Sequence, residues 1–478
     1  MSNKQLLKLT ISELAPKIKS RELSPAEVTQ TALEQIERLK PNINSFITVL
    51  GDEAMKQAKD AEKAIMRGNY KGPLHGVPIG LKDNLATKGI RTTIGSKVFS
   101  KNVPDEDAFV VTRLREAGAV VLGKENLHEF AMGVSSNNPH YGAVHNPWSL
   151  DSIPGGSSGG SAANVASCMT FASLGTDAGG SVRIPSSLCG VVGIKATYGR
   201  VSQRGLLSSA FGHDHIGPMT RSVRDNALML QAIAGYDSLD STTAPVPVPD
   251  YTAGLSRNVR RLKMGIPKNY FFADPIDPEV STALDEVIKA FEEMGIKSKE
   301  IALPNLEYAP VLRIISSVEN LVIHDEIARK HKKDYGDDVY FRMLPAQFVT
   351  AVDFARCLRV QRLIIDDFLK TLQDVDFIVT PATPIPAYPI DAETITVKGV
   401  QYTVKGPGRG SSVVGRNTFV GNHIGLPALS VPCGLTKKGL PIGLQLYGRP
   451  FEEGLLYRVA YHYEEVSPMK GKFPKVAG

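Results

Sequence analysis

A chain of 478 residues with 42% hydrophobic and 22% charged residues has the make-up of a folded globular protein with a large core, which excludes disordered and fibrous classes. With 55 Lys and Arg against 49 Asp and Glu the net charge is +6, and no block of like charges marks an arm for nucleic acid. Cys168, Cys189, Cys357 and Cys433 form no CxxC pair and read as reduced thiols, and no apolar run has signal-peptide or bilayer length, so a cytoplasmic protein that meets neither membrane nor metal is expected.

The start of the chain reads as helical. "SPAEVTQTALEQIERL" places Ser24 before Pro25 with Glu27 three residues on, a capping-box pattern, and Val28, Ala32, Ile36 and Leu39 recur at helical spacing. "MKQAKDAEKAIMRGN" predicts a second amphipathic helix, ended by Gly68 and Asn69. Further on, the short apolar runs "GVPIGLKD", "AVVLGKEN", "DFIVTPA" and "PALSVPCG" predict strands, while "AFVVTRLREAG" and "VRDNALMLQAIAG" predict helices. That alternation predicts an α/β fold with a central mixed, mostly parallel twisted sheet covered by helices on both faces. Residues 1–70 are expected to form a helical segment packed on one large domain of residues 71–478, with a crossing loop near 240–250, where "APVPVPD" begins at Ala244.

"DSIPGGSSGGSAANVASCMTFASLGTDAGGSVRIP", from Asp151 to Pro185, concentrates Gly and Ser in an apolar, nearly charge-free stretch. A flexible linker would continue in polar low-complexity sequence, whereas "SAANVASCMTFASL" has the small apolar residues of a closely packed helix. A phosphate loop would need Lys followed by Ser or Thr after the glycines. What remains is a backbone that turns sharply. Gly179 and Gly180 before Ser181 let successive N–H groups point into one concavity, as in an oxyanion hole, and make Ser181 a candidate nucleophile. Two kinds of base could serve it. "FGHDHIG" offers His213, Asp214 and His215, which otherwise are loop residues. Lys82 ends the apolar run in "GVPIGLKDN"; if buried it could be neutral near pH 7, and if not it is a surface lysine or the ion-pair partner of Asp83.

Taken together and in this order, "GPLHGVPIGLKDN", "PGGSSGGSAA" and "GTDAGGSVRIPSSLCGVVGIKATYGRVS" resemble the amidase signature family. The likeness continues through "HDHIGPMTRSVRD" to "GLPALSVPCG" and "GLPIGLQLYGRPF". The resemblance implies a Ser-cis-Ser-Lys triad, with Ser181 the nucleophile, Lys82 the base and Ser157 the serine between them, reached through a cis peptide after Gly156. It implies an oxyanion hole from the backbone N–H groups of Ala178, Gly179, Gly180 and Ser181, and a loop held by Asp177 and Arg183 through charge-assisted hydrogen bonds. Ser158 belongs either to the relay or to a helix N-cap. Met132 and Gly133, in "HEFAMGVSS", match the segment that lines the family's substrate channel, while Tyr141 and Trp148 are pocket aromatics or packing residues. The segment from Tyr308 to Phe354 is the least family-like and is expected to form the outer wall of the pocket. The activity implied is hydrolysis of a carboxamide C–N bond to a carboxylate and ammonia or an amine, through an acyl-enzyme and without metal or organic cofactor.

The competing subfamily is the A subunit of the tRNA-dependent glutamine amidotransferase, which the chain resembles through "GRVS" and "LYRVAYHYEE". That subunit makes ammonia from glutamine, so it needs a cation for the substrate's carboxylate and an anion for its ammonium. Where it carries Arg before a "TLI"-like run, this chain has Gln361, with Arg362 beside it; where it carries Asp ahead of "NLAGLP", this chain has Gly415. Its Gln after the nucleophile's Arg is Ile184 here, and its "LDQIGP" is "HDHIGP". Losing one charge from a zwitterion site costs on the order of several kcal/mol. The expectation is therefore a stand-alone amidohydrolase acting on a small-molecule amide, with no nucleic acid and no membrane and with a homodimer allowed; the glutaminase subunit is the alternative. A non-catalytic scaffold subunit is disfavoured by the intact Lys82, Ser157 and Ser181.

Overall fold

Among the described residues, eleven strands form one sheet. In chain order they are β1 (Phe46–Val49), β2 (Pro78–Lys82), β3 (Val120–Glu125), β4 (Ala172–Thr176), β5 (Val192–Lys195), β6 (Ile216–Thr220), β7 (Lys263–Pro267), β8 (Lys297–Ile301), β9 (Phe377–Pro381), β10 (Ala428–Leu435) and β11 (Pro441–Tyr447). The structure, a computed structural model, describes residues 1–207, 210 and 212–478. Across the sheet the order is β1, β3, β2, β4, β6, β5, β10, β11, β9, β7, β8. β2 runs parallel to β3 and β4, and β7 runs parallel to β8 and β9. Between β4 and β9 the neighbours are antiparallel. Every residue of β2, β3, β4 and β6 is buried, which is why these segments read in sequence as continuous apolar runs instead of alternating ones. The fold is α/β, a mixed sheet with helices on both faces.

The early helices form as their spacing predicts. The helix Pro25–Ile43 buries Val28, Ala32, Ile36 and Leu39, and the Ser24 hydroxyl accepts from the N–H groups of Ala26 and Glu27. Reciprocal capping boxes occur instead at Ser2 with Gln5 and at Thr10 with Glu13. The second helix begins earlier than its motif, at Gly51, and buries Ala54, Ala58, Ala61 and Ile65 before Gly68 turns the chain at φ +85°. One expectation is corrected. The segment 161–174 is not a single helix: the helix Gly159–Ala166 ends where the Ser167 hydroxyl donates to the Ala163 carbonyl at 2.6 Å and Cys168 takes φ +60°, and β4 follows. Small apolar residues suit a helix and a fully buried strand alike, so composition cannot separate the two.

Parallel pairing sets Leu81 of β2 against Leu174 of β4, so the carboxyl ends of both strands, Lys82 and Thr176, finish side by side. The carboxyl edge of parallel strands is where α/β folds build their sites. Among the described residues, no helix is long and apolar enough to cross a membrane.

The N-terminal helix Ile11–Lys19 is fastened to the helix Val223–Ile233 by Asp225, whose buried carboxylate accepts from Ile11 N–H at 2.7 Å, Ser12 N–H at 2.9 Å and Ser12 Oγ at 2.7 Å. Asp225→Ala is expected to cost about 2 to 3 kcal/mol, since it strands buried donors. Denaturant unfolding of the two chains side by side measures the difference; an unchanged midpoint would mean that this tie carries no stability.

Candidate active site

β2 delivers Lys82 into the protein interior. Its Nζ lies 2.7 Å from Ser157 Oγ and 2.7 Å from Thr176 Oγ1, and Thr176 Oγ1 also accepts from Asn84 Nδ2 at 3.1 Å. Among the described residues no carboxylate lies within ion-pair distance of this amine. Burial pushes the Lys82 ammonium down to about 7, against the opposing charges of Asp214, Asp177 and Glu125. For Asp214, burial pushes the carboxyl up while Lys82 pulls it the other way.

The peptide between Gly156 and Ser157 is cis. Only glycine fits at 156: a Cβ there would lie 2.9 Å from backbone atoms of Val134 and Ser136. Ser157 is fully buried, and its carbonyl accepts from His128 N–H and Ser136 Oγ, both at 3.2 Å. The next residue joins it to the nucleophile loop, because the Ser158 N–H donates to the Ser181 carbonyl at 3.3 Å. Ser158 stands at the N-cap position of the helix Gly159–Ala166 without capping it; its hydroxyl donates to the Thr176 carbonyl and accepts the Thr176 N–H, both at 3.2 Å. Of Lys82, Ser157 and Ser181, only Ser181 is detectably exposed, at 8%.

The loop from Asp177 to Arg183 is built on a buried ion pair. Arg183 Nε and Nη2 grip the Asp177 carboxylate at 3.0 and 2.9 Å, while Nη1 donates to Gln445 Oε1 at 2.8 Å and Nη2 to Asn422 Oδ1 at 2.7 Å. Burial alone would raise the Asp177 carboxyl, but the Arg183 guanidinium holds it well below the usual carboxylate range. The same carboxylate accepts from the N–H groups of Gly180 at 2.7 Å and Val182 at 3.1 Å. This corrects one assignment: the Gly180 N–H, expected in the oxyanion hole, is turned into the loop by Asp177. Glycine is required there for another reason, since φ is +115° and a Cβ would lie 2.0 Å from Thr418 Oγ1.

A cavity of about 220 Å³ opens onto Ser181. Met132, Gly133, Ala178 and Gly179 line it, as do Asp214 and His213. Tyr141 and Trp148 do not: the Trp148 indole donates to the Cys189 carbonyl at 2.8 Å, a packing role. His213 and His423 stack with ring centroids 4.8 Å apart, each with its Nε2 3.1 Å from Ser316 Oγ. Among the described residues no group of three or more His, Cys, Asp and Glu could hold a metal ion. The helix Leu312–His331 supplies the lining residues Arg313, Ser316, Ser317 and Asn320, within the segment expected to form the outer wall. These four stand at i, i+3, i+4 and i+7, a polar stripe that helical periodicity could have revealed. Thr176 was missed as well, and no local signal marks it; only the parallel register brings it to Lys82.

The amidase family model matches residues 27–457. Among curated relatives, the A subunit of glutamyl-tRNA(Gln) amidotransferase from Geobacter sp. strain M21 is 41% identical, covering 96% of this chain and 97% of its own. The solved structure of the protein of that name from Thermotoga maritima is 34% identical with a TM-score of 0.77, covering 100% of this chain and 98% of that one. A solved chain from a vestigial protein complex, described in connection with the origins of an s-triazine catabolic enzyme, is 31% identical with a TM-score of 0.90, covering 96% of this chain and 98% of that one. One expectation falls here. Relatives matched along nearly their whole length are named for a transfer-RNA and as one subunit of an enzyme, which overturns the expectation of a small-molecule partner alone with no nucleic acid.

Replacing Arg183 by Met should leave the Asp177 carboxylate buried and unpaired, at a cost of about 3 to 5 kcal/mol. Because the folded carboxyl titrates below its unfolded value, the pair's contribution is complete above about pH 4 and is lost only as pH falls through the depressed folded value. Unfolding of parent and Arg183→Met across acid pH measures this; a gap that widens in acid would contradict it.

Proposed function

From its membership of the amidase signature family, to which the chain belongs as an enzyme acting on carbon–nitrogen amide bonds, we propose that it is the glutamine-hydrolysing A subunit of a tRNA-dependent amidotransferase. The observation that carries this reading is 41% identity spread over 96% of the chain to a relative of that name, with both ends of the comparison nearly complete. The stand-alone amidohydrolase gives way to it. We also propose that residues 71–478 form the catalytic domain, with residues 1–70 packed on it.

The mechanism proposed starts from a neutral Lys82. Its Nζ, 2.7 Å from Ser157 Oγ, accepts the Ser157 proton while Ser157 takes the proton of Ser181, and Ser181 Oγ adds to the carboxamide carbon. Ala178, Gly179 and Ser181 line the cavity, and in the proposed mechanism their N–H groups receive the oxyanion, where one donor is worth about 3 to 4 kcal/mol. The proton then returns through Ser157 to the amide nitrogen, the C–N bond breaks and ammonia leaves. Water attacks the acyl-enzyme by the same relay and restores Ser181. Asp177 and Arg183 hold the loop and exchange no proton; Ser158 and Thr176 fix the two serines and the amine relative to one another.

Two outcomes follow. Ser181→Ala should lower ammonia release from glutamine at least about a thousandfold, in an assay of the chain alone and with its candidate partner subunits and tRNA. Release from glutamine that depends on those partners supports the reading; release by the chain alone from simple amides, with glutamine ignored, overturns it. Because the base must be neutral, kcat/KM should rise with pH through about 7 and then level off. A profile that falls through this range would rule out Lys82 as the base.

A further inference from the structure

One carboxylate ties together three walls of the cavity in front of Ser181. Asp338, in the helix Asp337–Met343, accepts from His128 Nε2 at 3.1 Å, from Arg342 Nη2 at 3.2 Å and from the Gly408 N–H at 3.2 Å. The donors belong to three stretches of chain, and each stretch lines the cavity: Phe130 to Val134 just after His128, Arg342 itself, and Gly408. Burial would raise the Asp338 carboxyl, but the hydrogen bond from His128 and the charge of Arg342 hold it down to about 2. An ionised carboxylate only accepts, so His128 carries its proton on Nε2. Asp338 itself is not among the lining residues, and it acts through the groups it holds.

The tie reaches the lining through close contact. A Cβ on Gly133 would lie 2.3 Å from His128 Cε1, so this lining residue rests directly on the ring that Asp338 orients. A second carboxylate fixes the near end of the same helix, where the fully buried Glu129 accepts from the Gly336 N–H at 2.8 Å and Tyr335 stacks on Phe130 with ring centroids 4.9 Å apart. Asp338, by contrast, keeps 35% of its side chain exposed. It and His128 line a second cavity, of about 370 Å³, which shares Val134 and Arg342 with the first. The partition between the two is therefore one layer of side chains thick. A wall with empty space on its far side has no packed atoms there to resist a shift once its tie is cut. We propose that Asp338 is a positioning residue that holds this partition in place, and so limits the cavity before Ser181 to small acyl groups. The inference rests on Ser181 as the nucleophile of the proposed amide cleavage and adds what sets the size of the group it receives.

The test labels Ser181 in the full chain with methanesulfonyl fluoride and with phenylmethanesulfonyl fluoride, which differ in the bulk carried by the reacting sulfur. Mass spectrometry of the Ser181 peptide follows the rate of each. Intrinsic reagent reactivity is the same in every chain, so the ratio of the two rates reads the width of the cavity. In Asp338→Asn, which keeps the shape and loses the charge, the ratio should rise at least about tenfold in favour of the larger reagent, while the smaller one reacts as in the parent. Asp338→Glu, which keeps the charge, should return the ratio toward the parent's. Asp225→Ala, which loosens the chain at its N-terminal tie, should leave the ratio unmoved. An unchanged ratio in Asp338→Asn overturns the proposal. If Asp338→Asn melts earlier than the parent, Asp225→Ala decides: a ratio raised in both is general loosening and overturns the proposal, and a ratio raised in Asp338→Asn alone supports it. Labelling of Ser181 with no cleavage of glutamine would sink the proposed function and leave this inference standing; no label on Ser181 from either reagent overturns both.

Discussion

Everything at the site turns on a lysine amine kept out of water. A buried ammonium without a carboxylate in contact loses its hydration and gains little in return, so the equilibrium moves toward the neutral amine. Among the described residues two other lysines are as deeply buried, and they differ in what they meet. Lys124 lies 3.9 Å from Asp83 and donates to the Leu85 carbonyl and the Thr87 and Thr92 hydroxyls, while Lys195 donates to the Leu426 carbonyl at 2.6 Å. Lys195 also lies 3.4 Å from His215 Nε2. Lys82 alone of the three touches a serine hydroxyl that adjoins the cavity loop.

A relay of short contacts works only if its members cannot drift, and the ion pair of Asp177 with Arg183 supplies that rigidity. One carboxylate organises the turn by taking the guanidinium and successive backbone N–H groups at once, which leaves the loop's charge fixed near neutral pH. Among the groups that burial shifts toward neutrality are Lys82, moved down, and Asp214, moved up. The cost is a site intolerant of side chains: Gly156 and Gly180 are hemmed in by backbone and by Thr418. On the proposed reading, this half of the site performs chemistry common to many amides, and the helix Leu312–His331 lines part of the cavity in front of it.

Much of this was legible in sequence because it is local. Helical periodicity located Val28, Ala32, Ile36 and Leu39, and unbroken apolar runs located the buried strands. Local pattern could not separate Lys82 in "GLKDN" from Lys124 in "LGKEN": the two lie on neighbouring parallel strands, with Leu81 opposite Lys124 and Lys82 opposite Glu125, and only register decides which amine faces Ser157. Thr176 and the engaged N–H of Gly180 were hidden for the same reason, since their partners are set by tertiary contacts. The polar stripe from Arg313 to Asn320 was visible in spacing, but nothing local told which way it faced. Charge patterning was silent about a nucleic-acid partner, because a net charge of +6 spread over 478 residues neither demands nor forbids one.

The central claim is that Ser181, activated through Ser157 by Lys82, carries the acyl group. The most direct measurement is mass spectrometry of peptides from the chain, assembled with its partner subunits and quenched in acid during turnover of glutamine. The account predicts a glutamyl ester on the peptide bearing Ser181 and none on the peptide bearing Ser157. A glutamyl group on Ser157, or steady release of ammonia with both serines unmodified, would contradict it.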